Sequence, residues 1–235
     1  MKKDRIWELD ALRGLCILGM IAIHFTFDLT DLYGVLDWEY PPAFAFLMDW
    51  GGVVFFLISG VCVTLGSRCV RRGLTVLGCG LVVSAVTAGM YLLGLADPVV
   101  IIYFGVLHCL GLCMILWHCL RKLPTPVLGA LGVLLAGLGL WLRSFRVETR
   151  WLVWLGLLYE GFATSDYFPL LPYLGFFLLG AVLGRKLYKN KTTLLPGMGA
   201  GFPARSLQWV GRWSLPIYLF HQPILTGIIY LILIL

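Results

Sequence analysis

An all-α, polytopic integral membrane helix bundle is the fold this sequence predicts, and three observations carry the prediction. Hydrophobic residues make up 60% of the 235 and charged residues only 13%. Mean hydropathy is +0.91, outside the range of an ordinary soluble domain. Seven apolar runs follow one another over short connections, each near the roughly 20 residues that cross a hydrocarbon core. Lys and Arg collect in alternate connections, the pattern of cytoplasmic loops.

Taken in order, the expected spans are about 11–30, 44–66, 74–95, 99–119, 126–142, 168–187 and 208–234, with eight spans as the alternative count. The first is led by charged residues yet holds His24 and Asp28 and lacks a small-residue cleavage site, so it is expected to remain as a span. In the second, Gly52, Ser59 and Gly66 recur every seven positions, a stripe suited to close helix packing. The run from Trp151 to Phe162 is too short to cross. It is placed as an interfacial or re-entrant helix at 151–163, with Trp151, Trp154 and Tyr159 at the headgroup level. A flexible linker is expected from Asn190 to Pro203. In the last span Ser214, Tyr218 and His221 share a face, and Pro216 and Pro223 interrupt it.

Orientation follows from charge. Lys2, Lys3 and Arg5; Arg68, Arg71 and Arg72; Arg121 and Lys122; and Arg185, Lys186, Lys189, Lys191 and Arg205 all fall on one side. That side is expected to be cytoplasmic, with the amino terminus inside, the carboxyl terminus outside, and the acidic loop of Asp31, Asp37 and Glu39 outside. Arg143, Arg146 and Arg150 run against this count and would face outward, toward anionic headgroups or an acidic acceptor. The net charge of +6 is mostly this topology signal, so no nucleic-acid partner is expected. The seven cysteines do not read as a disulfide framework, and no metal site is expected.

Two ionisable residues inside the first span demand a reason, because a charge there costs at least ~2.5 kcal/mol on insertion scales. Arg13 and His24 are eleven positions apart, which returns them to within about 20° of one direction and separates them by roughly 16 Å along the axis. Asp28 falls within about 60° of Arg13 on the same wheel. One stripe thus carries a cation, an imidazole and a carboxylate. His24 is the candidate base, because the unperturbed imidazole pKa lies nearest operating pH. Asp28 at i+4 is a candidate to orient it. Arg13 either neutralises Asp10 or holds phosphate through its guanidinium fork. Arg68, Arg71 and Arg72 form a second phosphate candidate, and His108 is placed along the path of a bound cofactor. Asp49, Asp166, Tyr167 and His221 are candidates on the acceptor side.

These residues carry a resemblance. RIWELDALRGLCILGMIAIHFTFDL, with its Arg-x10-His arrangement, and the later stretches VVFFLISGVCVTLGSR, IIYFGVLHCLGL, SDYFPLLPYLGFFLLGAVLGR and WSLPIYLFHQPI occur in order along the chain. Together they resemble bacterial members of the heparan-α-glucosaminide N-acetyltransferase catalytic-domain-like family, of the transmembrane acyltransferase superfamily. The more distant type-3 acyltransferases share the Arg-x10-His arrangement. The resemblance implies one transmembrane acyltransferase domain over 1–235. It would move an acetyl group from cytoplasmic acetyl-CoA to an amine or hydroxyl of an extracytoplasmic glycan, amino sugar or lipid-linked sugar. His24 would act as base or acyl carrier. Acetyl-CoA is then the co-substrate, membrane lipids and a sugar acceptor are the partners, and a homo-oligomer is open. The rival reading is a transporter or flippase whose polar stripe relays protons. Such a carrier would be expected to show paired, broken half-length helices, and none is evident beyond Pro216 and Pro223.

Overall fold

The computed structural model describes residues 5–234; Lys2 and Lys3, counted above for orientation, lie outside them. Among the described residues no strand forms, and β contacts are limited to isolated bridges of Phe104 with Tyr167 and Arg146 with Leu158. The helices are α1 (Trp7–Phe27), α2 (Pro42–Leu65), α3 (Cys69–Leu92), α4 (Val106–Leu120), α5 (Thr125–Leu142), α6 (Leu170–Leu187), α7 (Phe202–Arg212) and α8 (Ser214–Ile234). Among the described residues six spans are long and apolar enough to cross a membrane, namely α1 with its continuation to Leu32, α2, α3, α5, α6 and α8; α4 is a shorter apolar helix. Counting α4 restores the seven apolar segments read from the sequence.

Several boundaries move. The first span starts at Trp7 and runs on through a π-helical turn, Asp28–Leu32. The expected span 99–119 contracts, because Pro98–Val100 forms a 3-10 turn and the helix begins only at Val106. Fifteen residues then rise only about 22 Å. Asp166 explains the late start: its Oδ2 accepts the Val106 backbone N–H at 3.1 Å, satisfying a donor that a helix terminus leaves open. The interfacial piece at 151–163 is corrected to a single 3-10 segment, Arg150–Leu155. Gly156 ends it at φ 117°, a left-handed conformation that favours glycine. The span at 208–234 breaks at Trp213, so that α7 is a separate amphipathic helix and α8 alone is apolar.

The chain divides into two compact units, one joining the chain up to Ile58 with Asn190 onward, the other comprising Ser59–Lys189. In the first, α7 lies against the start of α1 at a glycine crossing. A Cβ at Gly14 would strike the Leu207 carbonyl, and one at Gly211 would strike the Asp10 carbonyl. Such contact lets backbones approach where bulky side chains would hold them apart. The segment expected to be a flexible linker is tied down at 193–199. Buried Glu8 accepts from the Thr193 hydroxyl and the Leu194 N–H, both at 2.7 Å. Trp7 Nε1–H donates to the Leu195 carbonyl at 2.9 Å, and Gln208 donates to the Gly199 carbonyl at 2.9 Å.

In the second unit α6 is the centre, with Phe177, Leu178 and Ala181 fully buried. Small residues again set the approaches: Gly175 faces Gly132 and Ala136 of α5, and Gly60 of α2 faces the Phe177 carbonyl. The seven-residue stripe in α2 is kept only in part. Ser59 is buried, Gly66 is exposed, and Gly60 makes the closest approach. α3 and α4 cross at Gly73 and Gly111, where each would-be Cβ meets the other's carbonyl at 2.7–2.8 Å.

Candidate active site

Within α1, an unbroken helix from Trp7 to Phe27, Arg13 and His24 keep the axial separation of roughly 16 Å expected from the rise per residue. His24 stands roughly 26 Å along the axis from Trp7, toward the far side of a hydrocarbon core about 30 Å thick. The two residues sit in different surroundings.

Arg13 is mostly buried and pairs with Asp10 at 3.5 Å. The same carboxylate faces Arg5 at 3.7 Å and Arg212 at 3.6 Å. Three guanidiniums around one carboxylate leave a net positive charge at the start of α1. Arg212 belongs to α7, a partner that no spacing in the sequence reveals. Arg212 is held in turn by Gln208 at 3.1 Å.

At the other end of the stripe, His24 meets His221 of α8, with His24 Nδ1 and His221 Nε2 3.1 Å apart and ring centroids 4.9 Å apart. The neighbouring acceptors dictate the protons. His221 Nδ1 lies 2.5 Å from the Tyr218 carbonyl, which only accepts, so that nitrogen carries hydrogen and Nε2 of the neutral ring holds a lone pair. His24 Nδ1 faces this lone pair and, at 3.0 Å, the Met20 thioether. Both are acceptors, so His24 Nδ1 carries the hydrogen. The tautomer assigned in this way leaves His24 Nε2 with a lone pair and, among the described residues, no hydrogen-bond partner. The Tyr218 carbonyl, the His221 ring and the His24 ring form a relay of the kind that can hold an imidazole in one tautomer. An apolar groove of about 320 Å3, lined by Ile21, Pro216, Ile217, Phe220 and Ile224, borders His221. The apolar setting strengthens the hydrogen bond between the rings.

Asp28, 1% exposed, takes a different partner from the one expected. Its two oxygens accept from Gln222 Nε2 at 3.0 and 2.8 Å, while His24 is oriented by His221. Gln222 escaped the sequence reading because a neutral amide raises no flag in a search for ionisable residues. A carboxylate in a span was the available signal, since it requires a donor.

Asp49 is exposed on α2, and Arg68, Arg71 and Arg72 are exposed at the start of α3. His108, 4% exposed, has both nitrogens engaged. Nδ1 accepts the Gly105 N–H at 3.2 Å, and Nε2 meets Ser84 Oγ at 3.3 Å. The Ser84 hydroxyl already donates to the Ile102 carbonyl at 2.5 Å, so His108 Nε2–H is the donor to Ser84. The ring fits because residue 80 is glycine; a Cβ there would sit 3.1 Å from it. His108, expected on the path of a cofactor, joins α3 to α4 through these bonds. Asp166 caps α4, and Tyr167 donates to the Val153 carbonyl at 2.7 Å; burial pushes the Tyr167 phenol upward. Arg143 is held by the Tyr173 hydroxyl at 3.4 Å and stacks on its ring.

Comparison with curated proteins found no match, nor did comparison with solved structures. Residues 5–223, nearly the whole chain, match the family described as heparan-alpha-glucosaminide N-acetyltransferase, catalytic. Six membrane-length helices and this match make the protein a transmembrane acetyltransferase, and the chain belongs to the heparan-alpha-glucosaminide N-acetyltransferase catalytic family.

Proposed function

We propose that the protein moves an acetyl group from cytoplasmic acetyl-CoA to an amine or hydroxyl of an extracytoplasmic glycan, amino sugar or lipid-linked sugar. We further propose that both units act as one catalytic domain, as a family match running through both supports. The observation that carries the reading is the His24–His221 contact at 3.1 Å, which turns a costly residue in a span into an oriented base.

In the direct form, His24 Nε2 removes the proton of the acceptor amine or hydroxyl as that atom bonds to the acetyl carbonyl carbon. The carbon–sulfur bond then breaks, and CoA leaves as a thiolate that recovers the proton. In the carrier form, His24 Nε2 itself takes the acetyl group and passes it on. In both, positive charge develops on His24, and the lone pair of His221 faces the Nδ1–H that shares it. The excess of guanidinium charge around Asp10 suits the phosphates of CoA. The pantetheine arm is long enough to reach from there toward His24. Arg68, Arg71 and Arg72, exposed in the second unit, are further phosphate candidates.

Purified protein incubated with labelled acetyl-CoA and a panel of amino sugars tests this. Transfer by the intact protein and its loss in His24→Ala are expected. Absence of acetyl-CoA binding, or full turnover in the variant, overturns the proposal.

A further inference from the structure

Asp28 and Gln222 form a polar pair in the first unit that the transfer step leaves unused. Asp28 is buried within the first span, and the donors and acceptors around it do not balance. Both carboxyl oxygens draw on a single amide nitrogen, Gln222 Nε2, at 3.0 and 2.8 Å. Among the described residues no cation pairs with this carboxyl, and Gln222 Oε1 is buried without a hydrogen-bond partner. The flanking titratable groups are His24 and Asp31 on the same span and His221 on α8, and the two rings meet as neutral imidazoles. Arg212 of α7 is engaged at Asp10, roughly 27 Å away along the axis. A carboxylate held in hydrocarbon with only a neutral amide beside it is costly, and such a group sheds its charge by taking up a proton. The orphaned oxygen points the same way. A carboxylic acid has one O–H to give and one carbonyl oxygen to receive, and a primary amide has the complementary C=O and N–H. Turning either group about its terminal torsion, broad for both residue types, lets the Asp28 O–H reach Gln222 Oε1 while Gln222 Nε2–H holds the other carboxyl oxygen. An ionised Asp28 has no hydrogen to offer, so Oε1 would stay orphaned.

The placement of the pair gives it a task. Asp28 stands four residues past His24 on the first span, and Gln222 follows His221 directly on α8. The His24–His221 and Asp28–Gln222 contacts therefore join the same two segments at adjoining levels. The rest of the buried face of α8 is Leu225 and Ile229, aliphatic side chains that pack as well after a small slide or rotation, because hydrocarbon gives apolar contact no preference for one register. One polar contact pins a point. Two of them, roughly 6 Å apart along the first span, fix slide and rotation together. We infer that Asp28 is a neutral carboxylic acid paired cyclically with Gln222, and that this pair is the positioning element that holds α8 in the register where His221 meets His24. The pairing rests on the packing alone; its bearing on turnover rests on the acyl-transfer reading.

Infrared difference spectra of detergent-solubilised protein, intact minus Asp28→Asn, read the proton directly. At neutral pH the intact protein is expected to show a carboxylic-acid carbonyl band that Asp28→Asn lacks, and its absence overturns the proposal. Kinetics on the same preparations test the positioning. Asp28→Leu and Gln222→Leu are expected to lower kcat for acetyl transfer about 10–100-fold, the scale of a displaced catalytic group. KM for acetyl-CoA should stay unchanged, and the pH–rate profile should shift as it does in His221→Ala. Asp28→Asn, whose amide keeps one donor and one acceptor for Gln222, should recover most of the loss. A loss in Asp28→Asn as large as that in Asp28→Leu, or kcat unchanged in both leucine variants, overturns the proposal. The acid band in a protein that transfers no acetyl group would leave the pair standing and remove the acyl-transfer reading.

Discussion

Each unit holds histidine away from bulk water, and the rings differ in what they have left to offer. In the second unit His108 accepts from Gly105 and donates to Ser84, so its hydrogen-bonding capacity is spent on joining α3 to α4. In the first, His221 spends one nitrogen on the Tyr218 carbonyl and the other on His24, and among the described residues His24 keeps Nε2 uncommitted. Burial of an imidazole in an apolar helix is common to both. An oriented ring with a spare lone pair is what the proposed base offers and His108 does not.

The sharpest way to break the comparison is to remove each ring in turn. His24→Ala should lower acetyl transfer by about 10^3-fold, toward the upper end of what a positioned base contributes, with little change in thermal stability. His108→Ala should do the reverse, costing roughly 1–3 kcal/mol of stability through its orphaned partners while turnover stays within a few-fold. Turnover and melting measured on the same preparations decide between them, and equal losses of activity would erase the distinction. His221→Ala should come next, lowering kcat by about 10–100-fold, the range seen when the partner orienting a histidine is removed, with acetyl-CoA binding unchanged. Its signature is a shift of the pH–rate profile, partly restored in His221→Gln, which a packing role would not produce.

Smaller effects test the charges. Arg13→Ala should weaken CoA binding about ten-fold by calorimetry, whereas Arg143→Ala, whose guanidinium is held by Tyr173, should leave it unchanged. Equal effects would remove Arg13 from the donor site. Smallest of all, Asp166→Ala should cost about 1 kcal/mol, the value of a helix cap, seen as a slightly lowered melting temperature with kcat preserved. A large loss of activity there would favour the acceptor-side role for Asp166.

Much of the fold is legible because the cost of placing a side chain in hydrocarbon is local. Apolar runs identify the spans whatever their neighbours are. Asp97, Pro98 and Gly105 shorten α4, however, and the cap that explains its start comes from Asp166, sixty residues away. The Gly211–Asp10 crossing that separates α7 from α8 is equally remote in sequence. At the candidate site, the eleven-residue spacing of Arg13 and His24 survives because both lie on one unbroken helix. The His24–His221 contact spans 197 positions and the Asp28–Gln222 contact 194, separations at which helical periodicity carries no information.

The sequence by itself therefore determined a membrane bundle, its family and a first helix with a costly polar stripe, since hydropathy and helical geometry act over a few turns of one chain. Only the tertiary structure decided that His24 meets His221, that Asp28 pairs with Gln222, and that His108 and Asp166 join α3, α4 and the segment before α6. Each of those roles depends on which donors and acceptors surround one particular atom, and that is settled when helices distant in sequence are packed together.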